Sequence, residues 1–220
     1  MENNKYKEDI PNGYKFVKGI GVIPEDWEVK NLKEICKIIT GKTPSTYVSE
    51  NYGGYLPFVT PVDLSENKNV KISERYISER GLKESKLIPK YSVLVTCIGS
   101  TIGKLGFNII DVAINQQINA ILPFKYINNE YIFYFLKKIS GRIKNIACNQ
   151  AVPIINKTEL GKFNISLPFL HEQNRIAECL SLLDKQIEME ENILNKFIIQ
   201  KKGLMQNLLV GKIRFPEFRK

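Results

Sequence analysis

Residues 172–210 read EQNRIAECLSLLDKQIEMEENILNKFIIQKKGLMQNLLV, a stretch that contains no proline and one glycine. Ten positions in it step alternately by four and three residues, and eight of the ten are apolar. They are Ile176, Leu180, Leu183, Ile187, Glu190, Leu194, Phe197, Lys201, Leu204 and Leu208. This spacing is the a/d repeat of a coiled coil. A helix of this length spans roughly 55–60 Å, longer than a small domain, so we expect it to pair with a second helix.

Two charged residues interrupt this apolar seam, Glu190 and Lys201. In a parallel homodimer each would face its own copy across the interface, which is unfavourable. An antiparallel homodimer would instead pair Glu190 with Lys201 twice and place the two copies of the preceding domain about 50 Å or more apart by the helix rise. Two alternatives remain open: the helix lies over its own domain, or both charges extend to solvent from a seam of undefined direction.

The region before the helix has a different residue pattern. Short apolar runs such as Ser92–Ile98 are broken at frequent intervals by Gly, Pro, Asn and Ser, which predicts strands and turns. A helix is predicted over Asn129–Ser140 behind a cap at Asn128 or Asn129, because Ile132, Leu136 and Ile139 share one face. Trp27 and the aromatic residues of this helix are expected in the core.

The fold class is therefore predicted as α+β, a mixed domain followed by a long C-terminal helix that forms a coiled coil. We expect four parts. They are a flexible N-terminal arm over residues 1–20, the mixed domain over 21–170, the helical dimerisation spacer over 171–211 and a tail over 212–220.

Charge points to a polyanionic partner. The chain has 32 Lys and Arg against 23 Asp and Glu, a net charge of +9, and residues 171–220 hold only nine of the basic and seven of the acidic residues. The excess therefore lies mainly in residues 1–170, where we expect nucleic acid to bind. No apolar run approaches the ~18 residues of a membrane span, and the N-terminus lacks a signal-peptide pattern, so a cytoplasmic protein without a membrane partner is expected.

Motifs for catalysis are absent or incomplete. Gly99–Lys104 is one residue shorter than a phosphate-binding P-loop and is followed by Leu105 instead of Ser or Thr. The single histidine, His171, suits a helix start better than a hydrolase triad or a zinc site. We expect no catalytic residue, metal or cofactor. The cysteines, Cys36, Cys97, Cys148 and Cys179, are too far apart for a zinc motif and are predicted to be free buried thiols.

Several segments occur together in a distinctive order. They are Gly21–Trp27, Pro57–Leu64, Thr96–Lys104, Asn115–Ile121, Leu167–Gln173 and Leu204–Lys212. This order resembles the specificity subunit of type I restriction–modification systems over nearly the whole chain. The resemblance implies a target-recognition domain over residues 21–170 and a helical spacer, with methylation and cleavage left to separate modification (methyltransferase) and restriction subunits.

The same resemblance implies recognition of a bipartite site in double-stranded DNA. Such subunits usually carry two copies of this unit, whereas the present sequence contains one. It is therefore expected to be either a natural half-length subunit that dimerises or one half of a longer protein.

DNA contacts require two kinds of side chain. Lysines and hydroxyls suit phosphates, and amides suit base edges. The candidate residues are Lys42, Thr43, Ser45, Thr46, Ser100, Thr101, Lys104, Gln116, Asn149, Gln150, Asn156 and Lys157. A solvated turn or a helix cap explains any one of them equally well. Alternation of Asn115–Gln117 with Ile114, Ile118 and Ile121 also allows a strand whose amides hold neighbouring loops together.

Two other functions stay open at this point. One is a stand-alone DNA-binding or scaffolding protein that is dimerised by its coiled coil. The other is a magnesium nuclease, because Asp26, Glu28 and Lys30 would share one face of a strand. Solvated strand residues explain that triplet equally well.

Overall fold

The computed structural model describes residues 10–65, 67–148 and 153–219. The strands are β1 (Tyr14–Val17), β2 (Gly21–Pro24), β3 (Glu28–Asn31), β4 (Cys36–Thr40), β5 (Tyr52–Val59), β6 (Asn69–Val70), β7 (Tyr76–Ile77), β8 (Leu87–Ile88), β9 (Val93–Thr96), β10 (Leu105–Asn108), β11 (Val112–Ile114), β12 (Ile118–Pro123) and β13 (Asn164–Leu167). The helices are α1 (Leu32–Ile35), α2 (Glu79–Glu84), α3 (Asn129–Lys138), α4 (Ser140–Cys148), α5 (Lys157–Gly161) and α6 (Leu170–Leu208).

Contacts between Cα atoms divide the chain into two compact units, one ending at Glu178 and the other beginning at Cys179. The division falls inside α6. The first unit contains all the strands and α1 to α5, so the α+β class predicted from the sequence is confirmed. No helix in the described ranges has both the length and the hydropathy needed to cross a membrane.

A five-stranded sheet forms the centre of the first unit, in the order β4–β12–β9–β10–β6. Its middle strand, β9, is buried at all four positions because both faces of the sheet are covered. Val93 and Val95 belong to a core cluster shared with α3, α4 and α5, whereas Leu94 belongs to a cluster shared with a second sheet. A continuous apolar run is the pattern expected for a strand that is covered on both sides.

The helical layer rests on the first of these clusters. Asn128 caps α3 by accepting a hydrogen bond from the N–H of Tyr131 at 2.8 Å, as the sequence predicted. Ile132 and Leu136 are completely buried on the face toward the sheet. The second helix of this layer, α4, follows after a single residue and was not predicted, because its sequence has few apolar positions.

The second sheet has four strands in the order β7–β5–β11–β8. Val59, Ile88 and Ile114 come from this sheet and pack with Leu94 and Ala120 of the central sheet. The first unit is thus a stack of helices, central sheet and second sheet. Two small sheets, β1–β2 and β3–β13, complete it.

The N-terminal region differs from the predicted arm. Tyr14–Val17 forms β1 and pairs with Gly21–Pro24 as an antiparallel hairpin, so the ordered chain starts before residue 21. The turn between them uses Gly19, whose φ of 85° lies in the left-handed region that glycine tolerates best. Residues 1–9 lie outside the described residues. Trp27 is only half-buried instead of lying in the core.

Burial of the cysteines divides them differently from the prediction. Cys36 and Cys97 are free and buried as expected. Cys179 is free but exposed, because it lies on α6 at the start of the second unit. The prediction that all four cysteines are buried is therefore wrong for Cys179.

Candidate nucleic-acid interface

Three polar loops begin at one end of the central sheet. The register of β12 pairs Asn119 with Thr40, the last residue of β4, and pairs Ile118 with Thr96, the last residue of β9. The segments after β4 and β9 and the segment before β12 must therefore leave the sheet at the same end. This geometry brings together three loops, residues 41–48, 97–104 and 115–117, which hold most of the candidate DNA-binding residues. We call them the end loops.

Backbone hydrogen bonds fix the end loops to one another. Lys42 N–H donates to the carbonyl of Ile114 at 3.1 Å, and Cys97 N–H donates to that of Gln117 at 2.7 Å. The hydroxyl of Thr43 also donates to the side-chain oxygen of Gln116. Two candidate residues from distant parts of the sequence are therefore in direct contact.

Residues 115–117 form the turn that joins β11 to β12, so the predicted strand is wrong there, but the alternative that the amides are structural is confirmed for Asn115 and Gln117. The hydrogen bonds of this turn explain why amides stand there: Asn115 Nδ2 donates to Gln117 Oε1 at 2.9 Å, and Gln117 N–H donates to Asn115 Oδ1 at 3.1 Å. Both amides thus hold the turn in shape. Gln116, between them, is exposed.

Side chains from α2 and β5 hold the first end loop in place. Ser45 N–H donates to a carboxylate oxygen of Glu84 at 2.9 Å, and this bond lowers the pKa of that carboxyl group. Tyr52 OH donates to the carbonyl of Pro44 at 2.8 Å. Ser45 and Thr46 are exposed, and Tyr47 is 99% exposed at the tip of the loop. The loop therefore presents polar and aromatic groups on a fixed backbone.

The second end loop is a tight turn that depends on Gly99 and Gly103, whose φ values are 92° and 86°. Ser100 and Lys104 are exposed, and Thr101 is half-buried. The turn is attached to the segment that precedes α5, because Gly99 N–H donates to the carbonyl of Pro153 at 3.1 Å.

The remaining candidates have different surroundings. The side-chain oxygen of Asn156 accepts a hydrogen bond from Glu159 N–H at 2.9 Å, and the N–H of Asn156 donates to the Glu159 carboxylate at 3.2 Å, which forms a capping box for α5. Its side-chain oxygen is thus committed to the helix. Lys157 is exposed in the first turn. Asn149 and Gln150 lie outside the described residues.

The triplet considered for a nuclease does not share one strand face. Asp26 lies in the turn before β3, whereas Glu28 and Lys30 lie in β3 and pair with each other at 2.7 Å. Hydrogen bonding from Lys30 and the charge of its ammonium group lower the pKa of Glu28. Among the described residues no group of three or more His, Cys, Asp or Glu side chains is arranged to hold a metal ion.

Sequence reasoning missed two lysines near the end loops. Lys137 of α3 and Lys144 of α4 line a cavity of about 280 Å³ together with Lys104. The seven-residue separation spans the break between α3 and α4 at Ile139, so regular helical spacing gave no signal for this pair.

The predicted seam lies along α6, whose observed range of Leu170–Leu208 agrees with the predicted helix. Ile176 is half-buried and packs against the core of the first unit, so it does not belong to an exposed seam. From Leu183 onward the apolar residues are prominent: Leu183, Ile187, Leu194 and Phe197 are 51–63% exposed. Leu180 and Leu208 are half-buried, and Glu190 and Lys201 are exposed.

The chain combines a mixed domain that has polar loops at one end of its central sheet with a long helix that carries an apolar stripe. Together these features define a class of protein with known relatives. Residues 24–197 match the model of the type I restriction modification DNA specificity domain. The chain belongs to this family.

Two relatives come from Methanocaldococcus jannaschii. The chain is 34% identical over 190 residues to the type I restriction enzyme MjaIX specificity subunit, covering 82% of this chain and 44% of that protein. It is 29% identical over 222 residues to the MjaVIII specificity subunit, covering 98% of this chain and 48% of that protein. The chain thus spans about half the length of the curated relatives it matches.

Solved structures share the fold. A structure described as showing complex assembly and conformational transition of the type I R-M system matches with a TM-score of 0.68 and 22% identity, over 88% of this chain and 47% of that one. The HsdS subunit from Thermoanaerobacter tengcongensis matches with a TM-score of 0.62 and 20% identity, over 82% of this chain and 42% of that one.

Proposed function

We infer that the chain recognises double-stranded DNA as the specificity component of a type I restriction–modification enzyme. It directs separate modification and restriction subunits to a bipartite site and performs no catalytic step itself. The observation that carries this proposal is the family match over residues 24–197. The end loops support it, because they present lysines, hydroxyls and an amide on a backbone fixed by hydrogen bonds.

The lysines and hydroxyls are assigned to phosphates. Lys42, Lys104 and Lys157 are exposed cations, and the hydroxyl groups of Ser45, Thr46, Ser100 and Thr101 supply donors beside them. Contacts to phosphates position a protein on DNA without distinguishing sequences. These residues therefore contribute affinity and register.

Base reading is assigned first to Gln116. Its side-chain oxygen accepts the hydroxyl of Thr43, which fixes the orientation of the amide. The NH₂ group makes no hydrogen bond within the described residues and remains available to a base-edge acceptor. Asn149 and Gln150 are assigned the same role from the sequence alone.

The second unit is assigned to an antiparallel homodimer. If the two-fold axis lies midway between Glu190 and Lys201, every seam residue from Leu183 to Leu208 meets another seam residue. The resulting pairs are Leu183 with Leu208, Ile187 with Leu204, Glu190 with Lys201, and Leu194 with Phe197. Opposite charges then meet, whereas a parallel dimer would oppose like charges.

Burial supports this register. The pairing leaves Ile176 and Leu180 without seam partners; Ile176 packs on the core of its own unit, and Leu180 is half-buried. The exposed apolar side chains between Leu183 and Phe197 would be removed from water in the dimer, which is the main driving force for helix pairing.

Co-purification with a type I modification subunit tests the assignment. We expect the full chain to form a stable complex with that subunit, and the complex to prefer one DNA sequence over a scrambled duplex. A chain that binds DNA but forms no complex with a modification subunit would be a stand-alone DNA-binding protein instead. Lys125→Gln, at the opposite end of β12 from the end loops, serves as a control that should leave both properties unchanged.

A further inference from the structure

A cavity beside the second end loop has an unusual lining. Its volume is about 280 Å³, and it lies between the start of β10 and the helices α3 and α4. Lys104, Lys137 and Lys144 line it together with the hydroxyl-bearing Ser65 and Ser140. Ile102, Leu105 and Phe133, which are nearly or completely buried, also line it. The hydroxyl of Ser140 already donates to the carbonyl of Lys137 at 2.8 Å, so the cavity combines three cationic donors and the hydroxyl of Ser65 with apolar walls.

The three lysines are not neutralised by the protein. None of the residues lining the cavity is acidic, and none of the three lysines forms an ion pair within the described ranges. Lys68 provides a contrast, since its ammonium group is buried and lies 3.3 Å from the Glu130 carboxylate of α3. Positive charges that share one cavity repel each other, and an anion between them would remove that repulsion.

Gly103 brings the lysines together. A Cβ atom at this position would lie 3.0 Å from the carbonyl oxygen of Ser140 and 3.7 Å from Cβ of Lys144. Its φ of 86° is also unfavourable for other residues. The turn therefore approaches the start of α4 closely, which sets Lys104 beside Lys144.

We propose that this cavity holds one phosphate oxyanion of the DNA backbone, bound by Lys104, Lys137 and Lys144. Lysine ammonium groups and hydroxyls are common donors to phosphate oxygens. A DNA phosphate is favoured over a free anion because Lys104 belongs to an end loop, so the cavity is continuous with the candidate interface. The proposal rests on the proposed DNA-binding function.

The salt dependence of DNA binding tests the site. Each phosphate neutralised contributes about 0.9 to the slope of log K against log salt concentration, so loss of one contact lowers affinity about eightfold near 0.1 M salt and hardly at all near 1 M. We expect this change for Lys144→Gln in the full chain with a short mixed-sequence duplex. Lys144→Arg should retain the wild-type slope, and Lys125→Gln, at the opposite end of β12, should leave it unchanged.

The double variant Lys104→Gln with Lys144→Gln decides whether one phosphate is bound. If both lysines share it, the slope falls by about 0.9 in total, whereas two separate phosphates would lower it by about 1.8. A loss of about 1.8 would overturn the single-phosphate site. Thermal melting of each variant checks that the fold is intact.

Titration with inorganic phosphate distinguishes a DNA contact from a free-anion site. If the wild type binds the duplex and Lys144→Gln has the same slope, the cavity proposal fails while the proposed function stands. If the wild type binds no DNA at any salt concentration, the proposed function fails. NMR would then be used to follow the backbone amide signals of Gly103 and Gly141 as inorganic phosphate is added. Chemical-shift changes that saturate would identify a free-anion site, and unchanged signals would show that the cavity binds no phosphate. Either result would overturn the DNA assignment.

Discussion

The side-chain oxygen of Gln173 accepts a hydrogen bond from the backbone N–H of Asn128 at 2.9 Å, which ties the first turn of α6 to the start of α3. The amide nitrogen of Gln173 donates to the carbonyl of Pro168 at 2.9 Å. Gln173 is only 2% exposed, so it satisfies two backbone groups away from water. The orientation in which α6 begins depends on this residue.

Gln173→Leu should therefore destabilise the first unit. The substitution leaves the Asn128 N–H and the Pro168 carbonyl without their partners, and each buried unsatisfied group costs about 1–3 kcal/mol. Urea unfolding followed by circular dichroism measures the loss. Asn174→Ala removes only an exposed contact to the Asn128 side chain and should cost less than about 1 kcal/mol. Equal losses in the two variants would show that Gln173 has no special role.

Gly41→Ala should disturb the first end loop. A Cβ there would come closer than 3.0 Å to the backbone oxygens of Ile114 and Asn115, so the loop must shift away from the turn that carries Gln116. We expect a loss of about 1–3 kcal/mol in the free energy of unfolding, as for other overpacked sites. Gly203→Ala is the matched control, because the same Cβ meets open space on α6 and should stabilise the helix by about 0.5–1 kcal/mol. A neutral Gly41→Ala would contradict the close approach of loop and turn.

Substitutions at the candidate DNA-binding residues should separate affinity from specificity. Lys42→Gln is expected to weaken binding to all duplexes alike, because a phosphate contact carries no sequence information. Gln116→Leu, or replacement of Asn149 and Gln150 together by Ala, is expected to change which sequences are preferred. Selection from a random-sequence DNA pool measures both. An unchanged sequence preference would show that the substituted amides do not read bases.

Thiol reactivity should follow burial. Desolvation raises the pKa of Cys36 to about 12 and that of Cys97 to about 11, so both remain protonated at pH 8. Because the thiolate is the reactive form, iodoacetamide should modify Cys179 in the folded chain and leave Cys36 and Cys97 unmodified. Peptide mass spectrometry checks the sites. Rapid labelling of Cys36 in the folded chain would contradict the position of β4 in the core.

Charge reversal tests the antiparallel dimer. Glu190→Lys places like charges at both Glu190–Lys201 contacts, and the dimer dissociation constant should rise roughly tenfold, since exposed ion pairs contribute about 0.2–1 kcal/mol each. Adding Lys201→Glu should restore the dimer. Sedimentation equilibrium gives the constants. A double variant as weak as the single one would exclude this register.

Local patterns and long-range contacts were not equally predictable. The heptad from Ile176 to Leu208 predicted α6 within a few residues, and the apolar run at Ser92–Ile98 predicted a strand, because both signals are local. The hairpin formed by Tyr14–Val17 and Gly21–Pro24 was missed, because its strands are only four residues long and give too short a pattern to identify.

The candidate site was predictable only in part. Its residue types could be chosen from the sequence, but the contact of Thr43 with Gln116 joins positions 73 residues apart and has no local signature. Asn156 shows the opposite error, because an amide that suited base reading is occupied as a helix cap. Which polar residues serve the fold and which remain available depends on sheet register, which one sequence does not define.

Mapping of methylated DNA bases in the source genome tests the central claim most directly. If this chain selects the DNA site for a methyltransferase, deleting its gene should abolish methylation at one bipartite motif and leave other methylated motifs intact. Restoring the gene should restore methylation at that motif, and restoring a gene with the Gln116 substitution should direct the methyltransferase to a different motif or to none. A methylation pattern that is identical with and without the gene would contradict the account.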